Sequence, residues 1–434
     1  MVRKVLIGCM ISIMCWVFSA ICQVICTPDK TAVSVKSGDI FVFTVSNPNP
    51  PQDISIKVYD ANGKYVRTLF EKCTTETQFK IPWNLKDADG KTVNPGKYTV
   101  KVQTGLNLVL DATFGKNGII GGDDTFISPR NVRVDKKGCV YVLDYGAGII
   151  FKFNPDGTPA NDIAGKNKIM GPSSPYWVNI AVDEDGRIYG TVGHSVLVYD
   201  GKTGEQIYYV GEFFGNDVGW ETTKGGLGWP SWVGLNSDYR LYASCPGYSY
   251  WAGFDRRKKG KEGGLWRSKG GIPGESGDTD GKKAIYLAHA YYTNRNGITK
   301  WIDKDTSVEI AYSITSFTDP VKKTTEQMAN VYGVAFDKES GIFLVQRDPV
   351  RIIKISDNGF GFDFVKQFAS PGNDASKLEF MAPKDAAVSP DGKYLYVIED
   401  GEPISKTNTA PGLARLMKYK ITYQDEKQIT ILVQ

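Results

Sequence analysis

From residue 27 onward the chain is built from short runs in which apolar and polar residues alternate, each closed by Gly, Asn, Asp or Pro. Strict alternation marks strands with one face buried, and the closing residues mark tight turns. Residues 40–45, 54–59 and 98–102 follow this pattern, with Asn-Gly at 62–63, Asp-Gly at 89–90 and Pro-Gly at 95–96 supplying the turns. A β-sandwich of about 75 residues is predicted for 27–104.

Beyond residue 105 a longer unit recurs. An apolar strand ends in Asp or an equivalent, a turn with Gly follows, and then come a second and a third strand. The copies occupy 129–154, 177–200, 230–242, 331–355 and 384–398. Their marker residues Asp135, Asp183, Asn236, Asp337 and Ser389 stand 48, 53, 101 and 52 residues apart, so the long gap holds one more copy, placed at 284–302. Six units of about 50 residues predict a six-bladed β-propeller over 105–434, because a small sheet of this kind buries its faces only against neighbours. Two segments, 108–114 and 428–433, qualify as the strand that closes the ring. The first is preferred because it precedes the first full unit.

The fold class is therefore all-β, an N-terminal Ig-like β-sandwich followed by a six-bladed β-propeller. Residues 58–69, Trp83 and 87–98 resemble the Ig-like domain of flagellar hook-capping proteins (FlgD-like), a resemblance that implies fold and no chemistry. The repeats resemble NHL repeats, best at 114–115, 129–135 and 141–144. That resemblance covers about three quarters of the chain and implies architecture alone.

Arg3 and Lys4 precede the uncharged, mostly apolar stretch 5–21, which ends beside Ser19 and Ala20. This is the layout of a signal peptide over 1–26, with a cut expected between Ala20 and Cys26. Localisation is then secreted, periplasmic or cell-surface, and contact with a membrane is expected only if the segment stays uncleaved. With 52 basic and 48 acidic side chains the net charge is +4, too weak a field for nucleic acid. Apolar and charged fractions of 41% and 23% exclude wholesale disorder and a polytopic membrane protein. Of 7 cysteines, four lie in or beside the signal; Cys73, Cys139 and Cys245 are read as free thiols.

Loops entering the first strand and leaving the second meet at one mouth of a propeller. The mouth so defined collects Asn131, Tyr145, Trp177, Trp232, Tyr250, Trp251, Tyr332 and Arg347, a set suited to stacking on sugar faces or peptide side chains. The alternative is that these rings wedge between sheets as core. Asp144, Asp348 and Glu399 fall at equivalent second-strand ends and form a candidate calcium set. Similar propellers include lactonases that hold a divalent metal with Glu, Asn and Asp, for which Glu399, Asn179 and Asp144 are the nearest counterparts. His194 and His289 are the only histidines and the weak catalytic candidates. Two histidines exclude the three-His zinc site of related amidating lyases, and neither Cys-x-x-Cys-His nor Gly-x-Ser-x-Gly occurs. Residues 246–283, with the basic run 256–261, are expected to form a solvated flap, or else a contact to an anionic polymer or acidic partner.

The primary functional expectation is a binding or scaffold protein without catalysis, recognising a glycan or protein partner at the mouth, with self-assembly as a further property. The alternative is a propeller lactonase or lyase acting on sugar-derived substrates with a divalent metal.

Overall fold

The computed structural model describes residues 23–114, 126–171, 177–211, 227–246, 249–269, 276–289, 296–339, 341–400 and 414–434. Most of the expected signal segment lies outside them. The described chain is nearly all β, with two short 3-10 turns and no α-helix.

In the sandwich, a sheet of Ile25–Pro28, Phe41–Ser46 and Gln78–Trp83 faces Gln52–Asp60, Tyr65–Thr74 and the first half of Gly96–Phe114. Alternation in Phe41–Ser46 turns Phe41, Phe43 and Val45 into a core shared with Ile54, Ile56, Trp83 and Val100. The hairpin turns form as their residues dictate. Asp60 Oδ1 accepts from the Asn62 and Lys64 amides at 2.9 Å, and Gly63 takes φ 75°.

The repeats form four-stranded antiparallel sheets. The first strands of sheets one to six are Pro129–Val134, Trp177–Val182, Trp232–Leu235, Ser276–Thr279, Val331–Asp337 and Pro383–Val388. Each touches the next, and the sixth touches the first. Apolar cores fill the seams between neighbours; that between sheets one and two joins Tyr141, Leu143 and Ile150 to Trp177, Ile180 and Ile188. This arrangement is a β-propeller.

The periodic Asp read from the sequence has a local task. Asp135 Oδ1 accepts from the Lys137 and Cys139 amides at 2.8 and 2.9 Å, while its Oδ2 accepts from the Tyr141 hydroxyl at 3.2 Å. Asp183 repeats this with Asp185, Arg187 and Tyr189, while Asn236 Oδ1 accepts from the Asp238 and Arg240 amides and its Nδ2 donates to the Tyr242 hydroxyl. The marker of the copy inferred in the long gap is Asp280, which accepts from Lys282 and Ala284.

The described parts of 246–283 form strands of the repeats and not an inserted flap. Tyr250–Asp255 and Gly264–Lys269 are the outer strands of sheet three, and Ser276–Thr279 opens sheet four. Nor is Arg256 solvated: it is buried and donates to Asp183 at 2.6 Å and Glu184 at 2.8 Å.

Sheet six is completed from both ends of the chain. Its third strand is the start of Arg415–Val433 and its fourth the end of Gly96–Phe114, in register from Leu416 opposite Phe114. Both strands are 19 residues long and continue into the sandwich, where Gln428, the start of the other closing candidate, pairs with Lys101. A buried ion set reinforces the junction. Lys354 on sheet five and Lys57 in the sandwich reach the Glu71 carboxylate at 2.8 and 3.5 Å, and the Tyr59 hydroxyl donates to Glu339 at 2.7 Å. Burial alone would raise the Glu71 carboxyl, but the two ammonium groups hold it below its ordinary value. The described cysteines Cys26, Cys73, Cys139 and Cys245 are free thiols.

Candidate functional site

On each first strand one residue sits against the neighbouring sheet, and its chemistry decides how the seam is stitched. Asn131 Oδ1 accepts from the Ile180 amide at 3.0 Å, and Asn179 Oδ1 from Val233 at 3.4 Å. Trp232 Nε1 donates to the Gly277 carbonyl at 2.8 Å, and Asp278 Oδ2 accepts from the Phe336 amide at 2.9 Å. Asp385 Oδ2 accepts from the Val132 amide at 3.1 Å and from Asn131 Nδ2. Between sheets five and six the backbones approach so closely that a Cβ at Gly333 would lie 2.7 Å from Asp385 Cα. Asn131 thus belongs to a belt that binds the sheets to one another.

Most of the rings expected at the mouth are core instead. Trp177, Trp232, Tyr250 and Trp251 are buried, with Trp251 wedged between Trp232 and Trp301 at ring distances of 6.2 and 5.2 Å. A wide ring on an inner strand fills the gap where sheets splay apart, which removes it from any ligand surface. Two half-buried clusters remain at the mouth. The Arg130 guanidinium lies 3.5 Å over the Tyr145 ring, and Tyr332 sits beneath Lys384 and Arg347 at 4.3 and 5.7 Å.

The three carboxylates do not gather. Asp144 accepts backbone amides from Ile127 at 2.6 Å, Ser128 at 2.9 Å and Ala147 at 3.1 Å, so it fastens the loop entering sheet one. Glu399 accepts from the Met381 amide and from Ala382 at 2.9 Å, and its other oxygen takes Arg415 Nε at 2.7 Å. Asp348 is exposed. Among the described residues no group of three or more His, Cys, Asp or Glu is arranged to hold a metal ion. His194 Nδ1 lies 3.0 Å from the Leu227 carbonyl, and buried His289 Nε2 lies 2.9 Å from the Thr299 hydroxyl. The two histidines thus stand on different sheets, each against its own neighbour.

At the opposite end of the axis a pocket of about 200 Å³ is lined by first strands of all six sheets, and two of its residues are charged. Counting back two from each marker gives Arg133, Ala181, Gly234, Asp278, Ala335 and Ala387. Ala181, Gly234 and Ala387 leave the space, while Arg133 and Asp278 stand three sheets apart, on opposite sides of the ring. Arg133 Nη1 donates to Asp385 Oδ2 at 2.8 Å and the Val132 carbonyl at 2.6 Å, and its Nη2 reaches the Gly277 carbonyl at 3.3 Å. It therefore spans the axis. Burial pushes the Asp278 carboxyl up to about 6, against the opposing pull of Arg133. Sequence reading passed over both residues. The signal was nonetheless present, since they are the only charges in that column of the repeat.

An Ig-like sandwich fastened to one end of a β-propeller defines the architecture. Residues 30–106 match the family model of the FlgD Ig-like domain. A crystal structure of a protein of unknown function from Bacteroides thetaiotaomicron is 13% identical, covering 92% of this chain and 98% of that one with a TM-score of 0.47. Virginiamycin B lyase from Staphylococcus aureus is 12% identical over 73% of this chain and 100% of its own, at a TM-score of 0.43. The calcium-binding protein regucalcin from Agrobacterium tumefaciens gives 12%, 73%, 98% and 0.43. No curated protein matches the chain significantly. At such identities the likeness concerns chain path and not chemistry.

Proposed function

We propose that the protein is an exported binding and scaffold protein. In this reading a six-bladed propeller offers its free mouth to a glycan or protein partner, and the FlgD-like domain spaces or docks it in a cell-surface assembly. One observation carries the reading. Both 19-residue strands enter the sandwich from the end of the ring where the first strands finish. The opposite end, with Tyr145, Tyr332, Lys384 and Arg347, is left for presentation. The engagement of Asp144 and Glu399 by backbone amides and Arg415 supports binding over metal-assisted hydrolysis. The test combines glycan-array and partner-capture binding on the purified chain with electron microscopy of native material. Saturable binding reduced by Tyr332→Ala together with Lys384→Ala is expected. Calcium-dependent turnover of sugar lactones, with no binding, would overturn the reading.

Export implies processing, and the sandwich limits where. Val24 is buried in its core, Ile25–Pro28 pairs with Phe41–Ser46, and Gln23 Nε2 donates to Asp425 at 3.1 Å. A cut at Cys26 would strip half of that strand. The mature N-terminus is therefore expected at or before Gln23, read by mass spectrometry of the N-terminal peptide.

A further inference from the structure

The axial pocket beneath Arg133 stands apart from the mouth, and its chemistry can be worked out without reference to a partner there. Three charges meet at this depth: Arg133, Asp385 and Asp278. Arg133 is committed to Asp385 and to two carbonyls. The three groups together therefore leave one net negative charge, and Asp278 shares in the pull of Arg133 without being paired to it. Its oxygens accept the Phe336 amide at 2.9 Å and the Thr279 amide at 2.8 Å, contacts that orient the group without neutralising it. The half-buried side chains of Val134, Val182, Leu235, Phe336 and Val388 also line the pocket, whose open surface is mainly polar.

A half-buried carboxylate in a confined pocket calls for a cation small enough to enter it. Calcium requires six to eight oxygen ligands, which one carboxylate cannot supply. A volume of about 200 Å³ admits a small organic molecule. We infer that the axial pocket is a binding site for a small primary ammonium compound, its charged head on Asp278.

Two features of binding follow. Asp278 must be ionised, and of the groups facing it Arg133 favours that form while Asp385 opposes it. With the carboxyl up near 6, apparent affinity is expected to fall roughly tenfold between pH 8 and pH 5. A neutral isostere can donate a hydrogen bond to the carboxylate but forms no ion pair with it. The experiment is a ligand-observed NMR titration of the full chain with n-propylammonium and with 1-propanol, at pH 8 and pH 5, repeated on Asp278→Asn. Saturable propylammonium binding at pH 8, weaker at pH 5 and weakened tenfold or more in the variant, is the expected result. Absence of saturable binding to the wild type at pH 8, equal binding by 1-propanol, or a pH-independent affinity would overturn the inference. The wild-type arms decide it even if the variant fails to fold. Binding lost at the mouth through Tyr332 and Lys384 leaves this titration unchanged, so the two readings fail separately.

Discussion

Replacing Glu71 by glutamine is expected to lower the unfolding free energy by about 3–5 kcal/mol, because it strands Lys57 and Lys354 as unpaired buried charges. Both ammonium groups are almost fully removed from water, so neither finds solvent as a substitute partner. Denaturant titration against the wild type measures the loss. Substituting all three residues by apolar ones of similar volume, Lys57→Met with Glu71→Leu and Lys354→Met, is expected to recover most of it, since no desolvated charge then remains. The pH dependence has a definite sign. Glu71 is held below its ordinary value, so its contribution is present above the unfolded-state value near 4.5 and is lost as pH falls through the depressed one. The junction should therefore loosen in strong acid, and the glutamine variant should lack that acid-sensitive component.

Trp251→Ala is the second large effect. The ring is fully buried between Trp232 and Trp301, and its removal leaves a void in the seam between sheets three and four. A cost of about 3–5 kcal/mol is expected, seen as a lower denaturation midpoint. A tryptophan serving an open ligand surface would change stability by only a few tenths of a kcal/mol. The same measurement on Tyr332→Ala, whose ring is half-buried, is expected to give a much smaller change.

The repeat was legible because its marker performs a local task. Asp135, Asp183 and Asn236 each cap their own turn, and such short-range bonds leave a fixed spacing in the chain. The sandwich was legible for the same reason, through its alternating strands and Asp-capped hairpins. What stayed hidden depends on residues far apart. Arg256 sits in a basic run that reads as solvent-facing, yet its partners Asp183 and Glu184 lie 73 and 72 residues earlier. Trp177 and Trp232 have the composition of a ligand platform, and only the packing of a neighbouring sheet turns them into core. Asp144 and Glu399 look like metal ligands until the amides around them are counted. Arg133 and Asp278 lie between these cases, since the repeat itself aligns them, but only the closed ring sets them across a common axis.

The pairing of Gly96–Phe114 with Arg415–Val433 also governs how the molecule comes into being. As the chain emerges from the ribosome, sheets one to five have all their strands in hand by residue 368. The ring nevertheless stays open and the sandwich lacks an edge, because both await the same last strand. Its arrival joins contacts more than 300 residues apart, the slowest kind of closure for a chain to make. The two folding units therefore finish together, in a single late event.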